Sequence, residues 1–252
     1  MDLGLTGKVA IVTGAGSQIG FGRTIALTLA EEGCNIVVAD IDLEGVKQTS
    51  KDVESLGCKA LAVKVDVSNS TDVIQMVKSA LDRFGRVDIL VNNAGACTPP
   101  KPFLEMTEAE CDKDININLK GVLNCTRAVL PHMLERKYGK IVNISSGAAI
   151  EGAAVTSVYA AAKGGVISFT RSIAKGTAAS GINVNSIAPG LANTGFARQA
   201  PSGMLDNYRK NIPLGRITEP QDIANTVVFL ASDVAGDIVG QTISVDGGVI
   251  LL

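Results

Sequence analysis

Val9-Ala10-Ile11-Val12-Thr13-Gly14-Ala15-Gly16-Ser17-Gln18-Ile19-Gly20-Phe21-Gly22 is the stretch from which the rest of the chain can be read. Val9 to Val12 has the length and β-branched content of a buried strand. Beyond Gly22, Ile25, Leu29 and Ala30 fall at helical spacing and Gly33 is placed to end that helix. Between strand and helix lies a glycine-rich turn. Glycines there let the main chain approach a pyrophosphate, whose charge then rests on the helix N-terminus. The next apolar run, Ile36 to Ala39, ends at Asp40, 18 residues after Gly22. A carboxylate at that place accepts hydrogen bonds from the hydroxyls of an adenosine ribose. It repels a 2′-phosphate, and Ala15, Gly16, Ser17 and Ile41 offer no base to offset that, so the expected cofactor is NAD(H).

The alternation of short apolar runs with longer amphipathic stretches continues outward. Ala60 to Val65, Val87 to Val91, Ile141 to Ile144, Ile182 to Ile187 and Thr242 to Val245 bring the expected strands to seven. A helix over Leu43 to Leu56 turns Val46, Val53 and Leu56 inward, and Gly57 closes it. A second, with Ser70 as its N-cap, turns in Val73, Met76, Val77, Ala80, Leu81 and Phe84. Thr107 to Glu110 fits a capping box for a helix running to Pro131. Further helices are expected over Ser157 to Ala179 and over Pro220 to Ala231, the latter opened by a capping box on Thr218 and Gln221. Strict βα alternation predicts an α/β chain: one Rossmann-type domain over residues 1–252, a doubly wound seven-stranded parallel sheet with helices on both faces.

Composition excludes several other classes. The 252 residues carry a formal net charge of −2, which is no footprint for nucleic acid. No apolar run reaches the roughly 18 residues of a membrane span. Met1 to Leu5 carries Asp2 where a secretory leader wants basic residues, so a cytoplasmic protein is expected. Five cysteines, none closer than 14 residues to another, and a single histidine give neither a zinc site nor a disulfide frame, and no metal is expected.

Tyr159 and Lys163 lie four apart on an expected helix and share a face. A nearby ammonium favours phenolate and brings a tyrosine toward work as a base. Ser146, just past the fifth strand, lies at the carboxyl edge of the sheet, where a hydroxyl can hydrogen-bond a substrate oxygen gaining charge.

With these residues the chain resembles the short-chain dehydrogenase/reductase family over essentially its whole length. The matching positions are Thr13-Gly14 with Gly20 and Gly22, Asp66, Asn92-Asn93-Ala94-Gly95, Asn118, Ser146, Tyr159-Ala160-Ala161-Ala162-Lys163, Pro189-Gly190 with Thr194, and Asp246-Gly247-Gly248. The resemblance implies hydride transfer between a secondary alcohol and a ketone. Tyr159 would be the general acid/base. Lys163 would lower its pKa and hold the nicotinamide ribose, and Ser146 would polarise the carbonyl. Asn118 would interrupt its helix and position a water in a proton relay through Lys163. Asp66 and Val67 would meet the adenine, Asn93 the adenosine side, and Ala192 and Thr194 the carboxamide. The family spaces its serine thirteen residues before the tyrosine, which selects Ser146 over Ser145.

The glycine turn departs from the family pattern TGxxxGxG. Aligning Gly20-Phe21-Gly22 with the family's GxG leaves two extra loop residues, so Ser17, Gln18 and Ile19 become candidate cofactor contacts beside Gly14, Gly20 and Gly22. In the family the segment corresponding to about 191–214 covers the substrate. Here it holds Phe196, Met204, Leu205 and Tyr208 as an apolar wall and Arg198, Arg209 and Lys210 as cations for an anionic handle or a solvated face. Ala148, Ala149, Val155 and Pro99 to Phe103 are further wall candidates. A 3-hydroxyacyl/3-oxoacyl thioester is the leading substrate expectation. The alternatives are a free cyclic alcohol, polyol or sugar, or a non-catalytic NAD-binding subunit. A homo-oligomer, a tetramer as is common in the family, fits the apolar ending Val249 to Leu252. His132 reads as an exposed helix-end residue, Cys97 as pocket wall and Cys125 as core.

Overall fold

The computed structural model of the protein describes residues 1–195 and 204–251. β1 (Val9–Thr13), β2 (Asn35–Asp40), β3 (Ala60–Lys64), β4 (Ile89–Asn92), β5 (Gly139–Ile144), β6 (Ile182–Pro189) and β7 (Thr242–Val245) form one sheet in the order β3-β2-β1-β4-β5-β6-β7. Every neighbouring pair is parallel, so each connection crosses over a face of the sheet.

The period of a strand decides which face each residue serves. On β1, Ala10 and Val12 face one core and Val9 and Ile11 the other; on β2, Ile36 and Val38 are opposed to Val37 and Ala39 in the same way. The first core is closed by α1 (Phe21–Glu31), α2 (Leu43–Ser55) and Pro220–Ala231, through Ile25, Leu29, Val46, Val53, Ile223 and Val227. The second is closed by α3 (Ser70–Phe84), α5 (Gly121–Arg136) and α7 (Ser157–Thr177), through Val73, Met76, Cys125, Val129, Met133 and Ala174. Each of the larger buried side chains contributes about 2 kcal/mol from area removed from water.

Several boundaries differ from the sequence expectation, each for a local reason. Asn69 rather than Ser70 caps α3, because its carboxamide oxygen accepts from the Thr71 and Asp72 amides at 2.9 and 3.4 Å. Leu56 is the residue after α2 and is 45% exposed, not core. The capping box at Thr107 forms as expected. The later one is built instead from Glu219 and Asp222, with Pro220 in the first turn, where its missing N–H costs nothing. Short α6 (Ala148–Glu151) and α8 (Met204–Lys210) lie on either side of α7 and β6 in sequence, and Pro220–Ala231 is α9.

The helix expected to run from Thr107 to Pro131 is two helices, α4 (Glu108–Ile115) and α5, joined by a π-type wide turn over Asn116–Lys120. Pro131 sits inside α5, which continues to Arg136. Pro131 and Arg127, whose carbonyl loses its partner, both face solvent, so water takes the place of the missing bond.

At the amino ends of the strands, fully buried Asp88 accepts from the Val9 amide at 2.9 Å and pairs with Arg86 at 2.7 Å and Arg136 at 2.9 Å. It thereby ties β1, β4 and the end of α5 together. Burial alone would raise its pKa, but the two guanidinium groups and the Val9 amide hold it below the usual carboxylate range. His132 is half-buried rather than exposed: its Nε2 accepts from the Val87 amide at 3.3 Å, and burial followed by Arg136 holds its pKa down.

Because Asp88 ionises more readily in the native state than unfolded, its contribution is present above the unfolded pKa and is lost as pH falls through the native one. Asp88→Asn should therefore lower stability at pH 7 by about 3 kcal/mol. In urea titrations the gap between wild type and variant should close as pH falls below about 4, the unfolded carboxylate value. A gap independent of pH would show that the charge does not hold this junction.

Candidate active site

Strand order reverses between β1 and β4, and ligands of open parallel sheets bind in the crevice outside the carboxyl ends at such a reversal. Two adjoining cavities occupy it. A groove of about 430 Å³ is lined by Gly14, Ser17, Gly20, Asp40, Asp66, Val67, Asn93 and Thr194. A cavity of about 510 Å³ is lined by Ser146, Tyr159, Lys163, Ala192 and Thr194, and it shares Phe21, Asn93, Gly95 and Ala96 with the groove.

The glycine turn shows why the main chain passes so close to its neighbours. Gly14 has φ +69°, and a Cβ on it would lie 2.7 Å from Ala94 Cα. A Cβ on Gly22 would collide with the Gly14 carbonyl. Gly20 is the N-cap of α1, so five residues, Ala15 to Ile19, span the turn between Gly14 and Gly20. Of these, Ser17 lines the groove. The Gln18 amide turns the other way, onto the Gly16 and Gly45 carbonyls and Thr49 Oγ1. Ile19 is 39% exposed, with Cδ1 3.3 Å from where a Cβ on Gly195 would stand. Neither Gln18 nor Ile19 is part of the groove lining.

Asp40 accepts from the Gly16 amide (2.9 Å) and the Asp42 amide (3.0 Å), which fixes its carboxylate while leaving lone pairs toward the groove. Asp66 Oδ1 is held by the Ser68 amide and hydroxyl at 2.9 and 2.7 Å. The Asn93 amide donates to the Thr13 and Gly14 carbonyls, stitching β4 to the turn.

The second cavity gathers the titratable groups. Lys163 is 3% exposed; its Nζ donates to the Ile144 carbonyl at 2.8 Å and stands 5.8 Å from the centre of the Tyr159 ring. Burial brings the Lys163 pKa down to about 8. Burial holds the Tyr159 phenol above the usual range, and the Ser146 hydroxyl against it acts in the opposite direction. Lys163 donates one of its three N–H groups to the Ile144 carbonyl. Ser145 is support, as expected, its hydroxyl donating to the Lys163 carbonyl at 2.9 Å.

Asn118 is fully buried in the wide turn. Its Nδ2 donates to the Ala96 carbonyl (2.6 Å) and to the Asp114 carbonyl (2.9 Å), the latter an acceptor that an unbroken helix would have used itself. A Cβ on Gly95 would lie 2.9 Å from Asn118 Oδ1 and 3.3 Å from Lys163 Nζ, so both side chains converge on that glycine.

Of the expected wall, Ala148 and Tyr208 line the cavity; Val155 and Phe103 are exposed and do not. Phe196 and Arg198 lie outside the described residues. Arg209 and Lys210 are exposed. Cys97 lines the wall, and burial pushes its thiol up to about 11, which keeps it protonated. Phe21, Thr156 and Leu191 line the cavity without having been singled out. Phe21, between Gly20 and Gly22 on the first turn of α1, was the one with a readable signal. No cluster of metal-ligating side chains occurs among the described residues, and none of their helices is long and apolar enough to cross a membrane.

Residues 14–250 match the family model described as enoyl-(acyl carrier protein) reductase. The chain is 42% identical over 246 residues to (2S)-[(R)-hydroxy(phenyl)methyl]succinyl-CoA dehydrogenase subunit BbsD of Thauera aromatica, covering 98% of each. It is 38% identical over 247 residues to the 3-oxoacyl-[acyl-carrier-protein] reductase FabG of Thermotoga maritima, covering 98% of this chain and 99% of that one. The crystal structure of 3-ketoacyl-(acyl-carrier-protein) reductase from Brucella melitensis, complexed with NADH, is similar with a TM-score of 0.91. Its sequence identity is 35%, over 98% of this chain and 100% of that one.

A buried ammonium costs stability while it is charged. Lys163→Met should therefore raise the unfolding midpoint at pH 7. The gain should shrink from about pH 8 upward, as native Lys163 loses its proton while the unfolded chain keeps it. Thermal unfolding of the two proteins across pH 7 to 10 measures this. A variant less stable than wild type throughout would mean that the bond to Ile144 outweighs the burial.

Proposed function

The chain belongs to the short-chain dehydrogenase/reductase family and is an oxidoreductase acting on a CH–OH or keto group, and from that premise we propose that it is an NAD(H)-dependent dehydrogenase/reductase of 3-hydroxyacyl/3-oxoacyl thioesters. The observation that carries this reading is the meeting of Ser146, Tyr159 and Lys163 in one cavity, continuous with a groove that presents Asp40.

The nicotinamide, when bound, supplies the hydride acceptor or donor. Gly14, Ser17, Gly20 and Gly22 offer a main-chain cradle at the start of α1. Asp40 would receive the adenosine ribose, Asp66 and Val67 would border the adenine, Asn93 the adenosine side, and Ala192 and Thr194 the carboxamide end. Tyr159 moves the proton to or from the substrate oxygen and Ser146 hydrogen-bonds that oxygen as its charge develops. Lys163 holds the nicotinamide ribose, and its charge beside the phenol favours ionisation of Tyr159 in the loaded site. Asn118 shapes the relay that returns the proton to Lys163.

The carboxylate of Asp40, with no cation in the groove lining, supports NAD(H) over NADP(H). The names of the Thauera and Thermotoga relatives place acyl groups on coenzyme A and on acyl carrier protein, and this supports the thioester. Small Ala148 beside Ser146 leaves room for a substituted carbon skeleton. Five free thiols, with Cys125 pushed up to about 12 by burial, fit action in the reducing cytoplasm.

Absorbance at 340 nm with NAD⁺ and a set of 3-hydroxyacyl-CoA thioesters, each beside its free acid, tests the substrate class. Turnover is expected with the thioesters alone, and at least tenfold better with NAD⁺ than with NADP⁺. Tyr159→Phe should lower kcat by about 10³-fold while NADH still binds. Turnover confined to free cyclic alcohols or sugars would overturn the thioester assignment. Unchanged turnover in the variant would remove Tyr159 from the chemistry.

We also propose a homotetramer. β7 ends the sheet, and Leu251, after it, is an exposed apolar residue. Light scattering at micromolar concentration should return four chains, and a monomer there would contradict the assembly.

A further inference from the structure

The five-residue turn is tied to α2 more firmly than holding a pyrophosphate requires. Gln18 Nε2 donates to the Gly16 carbonyl at 2.8 Å and reaches the Gly45 carbonyl and Thr49 Oγ1 at 3.3 and 3.4 Å. Thr49 in turn donates its hydroxyl to the Ala15 carbonyl at 2.9 Å. On its other side the Gly16 amide donates to Asp40 Oδ2 at 2.9 Å, and a Cβ on Gly16 would lie only 3.0 Å from Asp40 Cβ and Cγ. A Cβ on Gly45 would collide with the Gly16 carbonyl. The Gly16 peptide is thus confined between Asp40, α2 and the Gln18 amide.

We propose that Gln18 is a specificity-determining residue for the cofactor: by clamping the Gly16 peptide onto Asp40, it closes the space that a 2′-phosphate would need. The proposal rests on the NAD(H) reading above and adds a second barrier to it. The charge of Asp40 repels the phosphate. The clamped peptide, 2.9 Å from the same carboxylate oxygen, takes away the volume into which a PO₃ group on the ribose would extend. Replacing Asp40 removes the charge and one anchor, but Gln18 and Thr49 still hold the Gly16 peptide from the α2 side. Removing Gln18 frees a glycine, the residue with the widest conformational range, to swing aside.

The test uses Gln18→Met, close in length but without N–H donors, alone and combined with Asp40→Ser, reading NADH and NADPH dissociation constants from nicotinamide fluorescence. With Gln18 intact, Asp40→Ser should tighten NADPH by no more than about threefold. Adding Gln18→Met should tighten it at least a further tenfold, with the thermal midpoint of each variant recorded beside its selectivity. Thr49→Val loosens the same clamp from α2 and should shift selectivity in the same direction, and it carries the test if Gln18→Met does not fold. Full reversal of preference by Asp40→Ser, with less than a twofold further change from Gln18→Met or Thr49→Val, would overturn the proposal. Wild-type protein that binds NADPH more tightly than NADH would overturn the NAD(H) reading and this proposal with it. An NADH-preferring wild type with unresponsive Gln18 and Thr49 variants overturns this proposal alone.

Discussion

Thr13 and Asn93 hold each other's main chains across the carboxyl ends of β1 and β4, and the site depends on that seam. Thr13 Oγ1 donates to the Val91 carbonyl and accepts from the main-chain amides of Asn93 and Ala94, both at 3.1 Å; the Asn93 side chain donates back through Nδ2 to the Thr13 carbonyl at 2.8 Å. Here the ladder between neighbouring strands stops, because the chain leaves β1 toward one face of the sheet and β4 toward the other. Buried peptide groups left by the end of a ladder need other partners. Side chains supply them, and the two strand ends stay together while the space above them opens. The closeness this requires is what forbids a side chain at Gly14 and Gly22. Asn93, Gly95 and Ala96, just past the seam, border both the groove and the cavity.

Beneath the cavity the otherwise apolar sheet carries a polar chain. Asn92 donates to Asn143 Oδ1 at 2.8 Å and to Thr126, and Asn143 donates to Thr170 at 2.9 Å. The links run from β4 to α5 and through β5 to α7, the helix that carries Tyr159 and Lys163. A buried network in which each member finds a partner is rigid and specific, whereas an incomplete one is costly. This one fixes α7 against the sheet. The residue that bears the cost is Lys163, buried with the Ile144 carbonyl accepting one of its three N–H groups. Stability is lost at the position where the chemistry wants an ammonium beside a phenol, a common division between scaffold and site.

What the sequence made legible was whatever repeats or whatever backbone geometry dictates. Seven strands, the inward faces of α1 and α3, and Gly20 and Gly22 in register all follow from period and glycine. The failures share a cause. Asn69 displaces Ser70 as a cap, and Asp222 displaces Gln221, because two polar neighbours compete for the same orphan amides and only three-dimensional reach decides. The resemblance put an interruption at Asn118 and the wide turn at Asn116–Lys120 forms there, but the helix period alone did not show it, because its partner Ala96 lies 22 residues away. Nothing local announces Gly45 and Thr49 as partners of Gln18. The burial that holds the Tyr159 phenol up depends on the whole fold, so no local pattern carries it.

Asn118 illustrates how such a contact narrows a role. Both N–H groups of its carboxamide are spent, on Ala96 and on Asp114, and its oxygen accepts from the Ala96 amide at 3.3 Å. A side chain so engaged has no proton left to give a mobile water. It can still hold the helix open. By taking the Asp114 carbonyl, Asn118 widens one turn, and a widened turn displaces main-chain carbonyls from the regular ladder. That turn lies beside Lys163, since both residues converge on Gly95. The requirement at position 118 is then conformational: a side chain short enough to reach back to Asp114 while also bonding Ala96.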